Sequence, residues 1–163
     1  MKKLLSLLMM LVSAICFGDA RSQAEELIKF NEGFRAEPKH TAIETTIGYG
    51  FTASIYTSRK KMTVEEADEI LHMYVEDIDK YLDKVVPVPL TVNQRVALID
   101  FVYQYGKTKF LNSYLRSLII VKANNSLIVK ELSKYCYITV KDEKVFVTGL
   151  YNRTQRRIEL WLK

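Results

Sequence analysis

Few residues of this 163-residue chain are able to cross-link it or to hold a metal. It has two cysteines, Cys16 and Cys136, and two histidines, His40 and His72. Two cysteines far apart make neither a disulfide framework nor a zinc site, and neither histidine has cysteine or carboxylate partners at ligand spacing. No metal and no cofactor are implied. Prolines number three and glycines six, so collagen-like and low-complexity architectures are excluded. No apolar run reaches the length of a membrane-spanning helix: the longest, Leu4 to Phe17, has fourteen residues and is broken by serines. What remains is a globular composition, 48% hydrophobic and 26% charged, enough for one domain with a sizeable core. The net charge of +5 suits an anionic partner. The basic residues are scattered, with short clusters at Arg59-Lys60-Lys61 and Arg156-Arg157, and no basic-aromatic stripe points to nucleic acid.

The N-terminus differs from the rest. Lys2-Lys3, the apolar run and Gly18-Asp19-Ala20 form a charged region, a hydrophobic region and a small-x-small site before Arg21. The pattern predicts a signal peptide over residues 1–20, or a retained signal anchor, and a domain over 21–163. A secreted or periplasmic location follows, with membrane contact only through this segment. Cleavage would remove Cys16, leave Cys136 without an intramolecular partner, and require the fold to stand on its core.

Local signals then set out the domain. Residues 23–32 have the spacing of a short amphipathic helix. Residues 34–57, rich in threonine and punctuated by Pro38, Gly48 and Gly50, predict a β-hairpin or three-stranded sheet. Thr63-Val64-Glu65-Glu66 is a capping box that opens a helix of about six turns, stopped by Pro87 and Pro89. Thr91-Val92-Asn93-Gln94 is a second, ahead of a helix apolar around nearly its whole circumference, which marks it as central. Further helices are expected over 110–123 and 126–134. A second hairpin follows, with strands over 135–140 and 144–148, and then a last helix over 152–162.

Glu32-Gly33 closes the first amphipathic segment, and Thr46-Ile47-Gly48-Tyr49-Gly50 begins fourteen residues after the glutamate. Glu-Gly alone is an ordinary helix end with a glycine cap. A glutamate at a helix end, facing a small hairpin across a cleft, is also placed to protonate the leaving oxygen of a glycosidic bond. Two more blocks follow: Asn93-Gln94-Arg95-Val96-Ala97-Leu98-Ile99-Asp100-Phe101-Val102-Tyr103-Gln104-Tyr105-Gly106 and Gly149-Leu150-Tyr151-Asn152-Arg153. With Phe30-Asn31-Glu32-Gly33-Phe34-Arg35 and the threonine-glycine block, in this order and spacing, the chain resembles the phage-type, T4-like lysozymes of glycoside hydrolase family 24 over nearly all of residues 24–163.

The resemblance implies an α+β, mostly α fold with two lobes: a small N-terminal hairpin lobe, a long connecting helix and a helical C-terminal lobe. It implies a monomeric muramidase that hydrolyses the β-1,4 bond between N-acetylmuramic acid and N-acetylglucosamine in peptidoglycan, degrading and lysing bacterial cells. The family's general acid falls on Glu32, its water-holding threonine on Thr46, and the arginine that orients the acid on Arg153. Substrate-binding positions fall on Gly50, Thr52, Tyr103 and Ser113, although Tyr103 serves equally well as a core aromatic.

The sequence departs from the family at one functional point. An aspartate is expected between Glu32 and Thr46, and there is none. Counted back from Thr46 its place is taken by His40; counted forward from Glu32, by Thr41; the interval is one residue short. Phe51 stands where the family often has a histidine. Three readings are open: His40 as a base, since histidine accepts a proton near neutral pH; a carboxylate supplied by Glu37 or Glu44; or a weak or inactive domain that binds peptidoglycan without cleaving it.

Overall fold

The computed structural model describes residues 20–41 and 44–163, so the proposed leader, apart from Ala20, lies outside the described residues. Among the described residues helix α1 covers 20–32, which includes three residues ahead of the span its spacing predicts. Ala20, Ala24 and Ile28 recur every fourth residue and are fully buried, one apolar stripe against the core. The expected cleavage boundary after Ala20 thus falls at a buried helical residue. Arg21 beyond it pairs with the buried Asp79 at 2.6 Å. Gly33 N–H closes the helix on Lys29 O at 2.9 Å.

Strands β1 (Arg35–His40) and β2 (Thr45–Gly48) form an antiparallel hairpin, with Lys39 opposite Thr46 and His40 opposite Thr45. The register shifts between Arg35 and Lys39, around Pro38, which has no N–H to give to a ladder. The sheet stops at two strands. Ile47 and Phe51 make an isolated bridge around the Tyr49-Gly50 turn, and a short helix α2 (Ser54–Thr57) follows where the sequence suggests strand.

Helix α3 (Val64–Val85) begins at the predicted capping box: Thr63 Oγ1 accepts from Glu66 N–H at 3.2 Å, and Thr63 N–H donates to Glu66 Oε2 at 2.8 Å. The helix runs about 33 Å at 1.5 Å per residue and connects the lobes. Helix α4 (Val92–Tyr105) starts at the second box, and residues 95–102 are all buried. It packs against α3 and α8 (Thr148–Leu162), the central place its apolar circumference predicts.

The helix expected over 110–123 is two, α5 (Lys107–Leu111) and α6 (Tyr114–Ile120). The break is Ser113, whose hydroxyl caps α6 by accepting from Arg116 N–H at 3.1 Å and donates to Phe110 O at 2.7 Å. Helix α7 (Asn125–Leu132) is capped by Asn124. Strands β3 (Tyr137–Val140) and β4 (Glu143–Phe146) turn on Lys141-Asp142, both at positive φ, as a two-residue hairpin that follows the right-handed strand twist demands. Helix α8 starts one turn earlier than predicted and takes Gly149 into its first turn. Cys136 is buried and unbridged, and its thiol donates to Ser133 O at 3.1 Å.

Candidate active site

Between the hairpin and the helical lobe lies a cleft of about 620 Å3. Glu32 reaches it from the C-terminal end of α1, with its side chain 25% exposed. Its Oε1 accepts from Arg153 Nη1 on α8 at 2.5 Å. Gly50 faces the same carboxylate from the hairpin side. At its φ of +87°, a Cβ would stand 3.1 Å from Glu32 Oε2, so the backbone approaches the acid as only glycine permits.

Arg153 is held from behind. Its Nη2 donates to Asp100 Oδ1 at 2.7 Å, and its Nε spans both oxygens at 3.1 and 3.2 Å. Asp100, on α4, has no exposed surface. It also accepts from Arg157 Nε at 2.6 Å and from Asn31 Nδ2 at 3.1 Å. Burial pushes the Asp100 carboxyl up, but the Arg157 and Arg153 guanidiniums outweigh it and hold the group below the usual carboxylate range. Burial works against the charge of Arg153, and the Asp100 and Glu32 carboxylates more than offset it, so its pKa is raised. Arg157 is lowered, by burial first and also by the neighbouring Arg153 charge. Arg157 Nη2 donates to Gln104 Oε1 at 2.5 Å. Gln104 lines the cleft, and with its oxygen engaged its amide nitrogen is left to meet a ligand.

The hairpin wall carries Arg35, Lys39, Thr41, Glu44 and Thr46. Strand alternation decides which residues these are. Lys39 pairs with Thr46, and two residues on, Thr41 pairs with Glu44 through a 2.9 Å bond from Thr41 N–H to Glu44 O, on the same face. His40 and Thr45 fall on the other face. His40 is exposed, does not line the cleft, and its Nδ1 lies 2.9 Å from Thr45 Oγ1. Glu37 is also turned away, 3.3 Å from Lys61.

Of the site residues expected from sequence, Glu32, Thr46, Gly50, Thr52, Tyr103 and Arg153 line one cleft; His40 and Ser113 do not. Ser113 spends both hydrogen-bonding roles on the α6 cap. Tyr103 both lines the cleft and braces it, its hydroxyl donating to Tyr49 O at 2.6 Å. Burial, then the nearby Glu32 charge, push its phenol above the ordinary range. Gly50, Thr52, Tyr103 and Gly106 also border a second compartment of about 400 Å3, so the groove continues toward α3. Phe51, where the family often has a histidine, is buried and stacks on Tyr74 with ring centroids 5.7 Å apart. His72 pairs with Glu25 of α1 at 2.8 Å.

Sequence reasoning missed Asp100, Arg157 and Gln104. A signal for the first two was present: one aspartate inside the apolar run of α4, and two arginines four residues apart in the last helix. A buried carboxylate must find charged partners, and Arg153 and Arg157 share one helix face.

A two-lobed fold with a carboxylate at a helix end, facing a glycine turn across a long groove, defines the class: a lysozyme-type glycosidase. The comparisons agree. The family described as phage lysozyme matches residues 29–157. An endolysin from Acyrthosiphon pisum secondary endosymbiont phage 1 is 30% identical over 130 residues, spanning 79% of this chain and 88% of that protein. The endolysin from Escherichia coli O157:H7 phage FAHEc1 superposes with a TM-score of 0.74 at 27% identity, over 86% of this chain and 91% of that one. The muramidase domain of SpmX from Asticaccaulis excentricus superposes at 0.77 with 24% identity, over 86% and 95%, and shares the fold. The chain belongs to the phage lysozyme family. Its activity is peptidoglycan hydrolysis, and its site of action is the bacterial cell wall. Among the described residues no helix is long and apolar enough to cross a membrane.

Proposed function

We propose that the chain is a muramidase that cleaves the β-1,4 bond between N-acetylmuramic acid and N-acetylglucosamine, exported by its N-terminal segment and acting as a monomer. Glu32 is the general acid, oriented by Arg153. Thr46 holds the attacking water on the opposite wall. Glu44, beside Thr46 and Thr41, takes the place of the family's aspartate as the second carboxylate. Two carboxyl groups flanking a glycosidic bond are what the reaction needs, one to protonate the leaving oxygen and one to activate water. Gly50, Thr52, Tyr103 and Gln104 contact the sugars.

The observation that carries this reading is the Glu32–Arg153 contact at 2.5 Å, opening into the cleft that Thr46 and Glu44 line. What favours Glu44 over His40 is the strand face each occupies. The test is product analysis on purified full chain and peptidoglycan. A muramidase releases new reducing ends at muramic acid, and Glu32→Gln abolishes them while wall binding persists. Wall binding with no new reducing ends from the native chain identifies a binding protein instead and overturns the proposal.

A further inference from the structure

We propose that Asp100 is a positioning residue of this cleft: one buried carboxylate that fixes two arginines, so that Arg153 holds the general acid and Arg157 holds the cleft amide of Gln104. The inference rests on the reading of Glu32 as the acid.

The geometry is a clamp with two arms. Arg153 bridges Asp100 and Glu32, and Arg157 bridges Asp100 and Gln104. Both guanidiniums are nearly inaccessible, with Arg153 6% and Arg157 1% exposed, and like charges so buried repel strongly unless a counter-charge lies between them. Asp100 supplies it. With Glu32 ionised the group has two positive and two negative charges.

A general acid, however, is neutral when it acts. In that state Glu32 no longer attracts Arg153 as an anion, and Asp100 alone keeps the guanidinium in place. Asp100 also absorbs part of the Arg153 field. Without it, more positive potential falls on Glu32 and its proton leaves more readily. The clamp therefore serves both the position and the proton of the acid.

Other groups face Glu32 as well. From α4 come Asp100 and the Tyr103 phenol; from α8, Arg153, with Arg156 one step away through Asn31; from the hairpin, Arg35, Lys39 and Glu44. Of the carboxylates among them, only Asp100 is bonded to the arginine that touches the acid.

The test is a pair of variants with opposite signs. Asp100→Asn keeps the shape and an acceptor oxygen but removes the charge. Arg157→Met removes the second guanidinium and leaves Asp100 to Arg153 and the uncharged Asn31. The readouts are the pH profile of reducing-end release and the titration of the Glu32 side-chain carboxyl, followed by its 13C signal. Asp100→Asn moves the alkaline limb and the Glu32 titration to lower pH, by about one unit. Arg157→Met moves both the other way. Asp100→Asn also raises KM, and adds little further in a Gln104→Ala background. Titrations that superimpose on the native chain in both variants, or move in the same direction, overturn the inference, and Asp100 is then structural only. Should Asp100→Asn not fold, the sign of Arg157→Met decides. If the native chain releases no reducing ends, the muramidase reading fails by itself, and the Glu32 titration still tests the clamp.

Discussion

The sharpest prediction separates His40 from Glu44. Strand alternation puts Lys39, Thr41, Glu44 and Thr46 on the cleft wall and His40 with Thr45 on the far face. His40→Ala removes one exposed side-chain contact, 2.9 Å to Thr45 Oγ1, worth at most about 1 kcal/mol. It touches nothing in the cleft, so the rate of reducing-end release stays within about twofold, well under 1 kcal/mol of barrier. Glu44→Gln is nearly isosteric but removes the carboxylate. A positioned base contributes about 10²–10⁴ in rate, or about 3–5 kcal/mol of barrier. The fall in kcat should reach that range with little loss of thermal stability, because Glu44 is exposed and its backbone, not its side chain, closes the turn on Thr41. Initial rates on peptidoglycan from about pH 5 to about pH 8 measure both variants across the range in which a histidine base would titrate. The reasoning is refuted if His40→Ala loses a hundredfold or more while Glu44→Gln keeps native activity.

Gly48→Ala should cost about 3 kcal/mol of stability in thermal or denaturant melts, since the new Cβ would sit at φ +63°, 2.6 Å from the Phe51 ring and 2.9 Å from Met62 Sδ; a loss under about 1 kcal/mol contradicts the packing described for this turn. Tyr103→Phe deletes the hydroxyl that donates to Tyr49 O at 2.6 Å, a bond worth about 1 kcal/mol. KM should rise severalfold with kcat less affected, and an unchanged KM removes Tyr103 from the cleft's bracing. Tyr49 is pushed up to about 12 by burial, and then by its bond to Asp68 and that carboxylate's charge. Its folded pKa lies above the unfolded value near 10, so its contribution is complete below about pH 10 and is lost as pH rises toward about 12. Tyr49→Phe should flatten that part of the alkaline stability profile, and an unchanged slope assigns the loss to other tyrosines.

Features that were legible in the sequence are those set by neighbouring residues. Both capping boxes form as written because their bonds span three residues, and Pro87 ends α3 because a proline cannot continue a helix. The start of α8 was not legible, since Gly149 reads as a break locally and yet lies in a helix whose Arg153, Arg157 and Trp161 are buried. The split between α5 and α6 was hidden because Ser113 reads equally well as a helix residue and as a cap. At the candidate site, Thr46 and Arg153 entered through the resemblance, Glu32 also through its place at a helix end, and the three line one cleft. His40 became a candidate by counting along the chain, but which strand face a residue occupies depends on the register, and the register shifts between Arg35 and Lys39. The Asp100 clamp joins residues 53 and 57 positions apart, a pairing that no local pattern can contain.

The two walls of the cleft are held by different kinds of contact, and this bears on how an aspartate can be absent from one of them. Glu32 is tied to Arg153, and through it to Asp100, Arg157 and Asn31 on α1, α4 and α8. Changing any one of these charges upsets the balance of two positive and two negative charges in a largely buried group, so this wall resists piecemeal substitution. The hairpin wall is fixed to the body through other residues, among them Tyr49 to Asp68, Tyr103 to Tyr49 O, the Phe51–Tyr74 stack, and Met62 N–H to Ala36 O at 2.8 Å. None of these involves the cleft-facing side chains of Lys39, Thr41, Glu44 and Thr46. Those positions are exposed or half-buried, and their chemistry changes without unpairing a buried group. On the proposed reading, a second carboxylate at Glu44, two residues before Thr46, is therefore a placement the hairpin tolerates at little structural cost. The same shift at Glu32 would take the carboxylate out of reach of Arg153. A double variant makes the asymmetry measurable: restoring an aspartate at Thr41 in the Glu44→Gln background should recover activity, whereas no single carboxylate placed elsewhere should rescue Glu32→Gln.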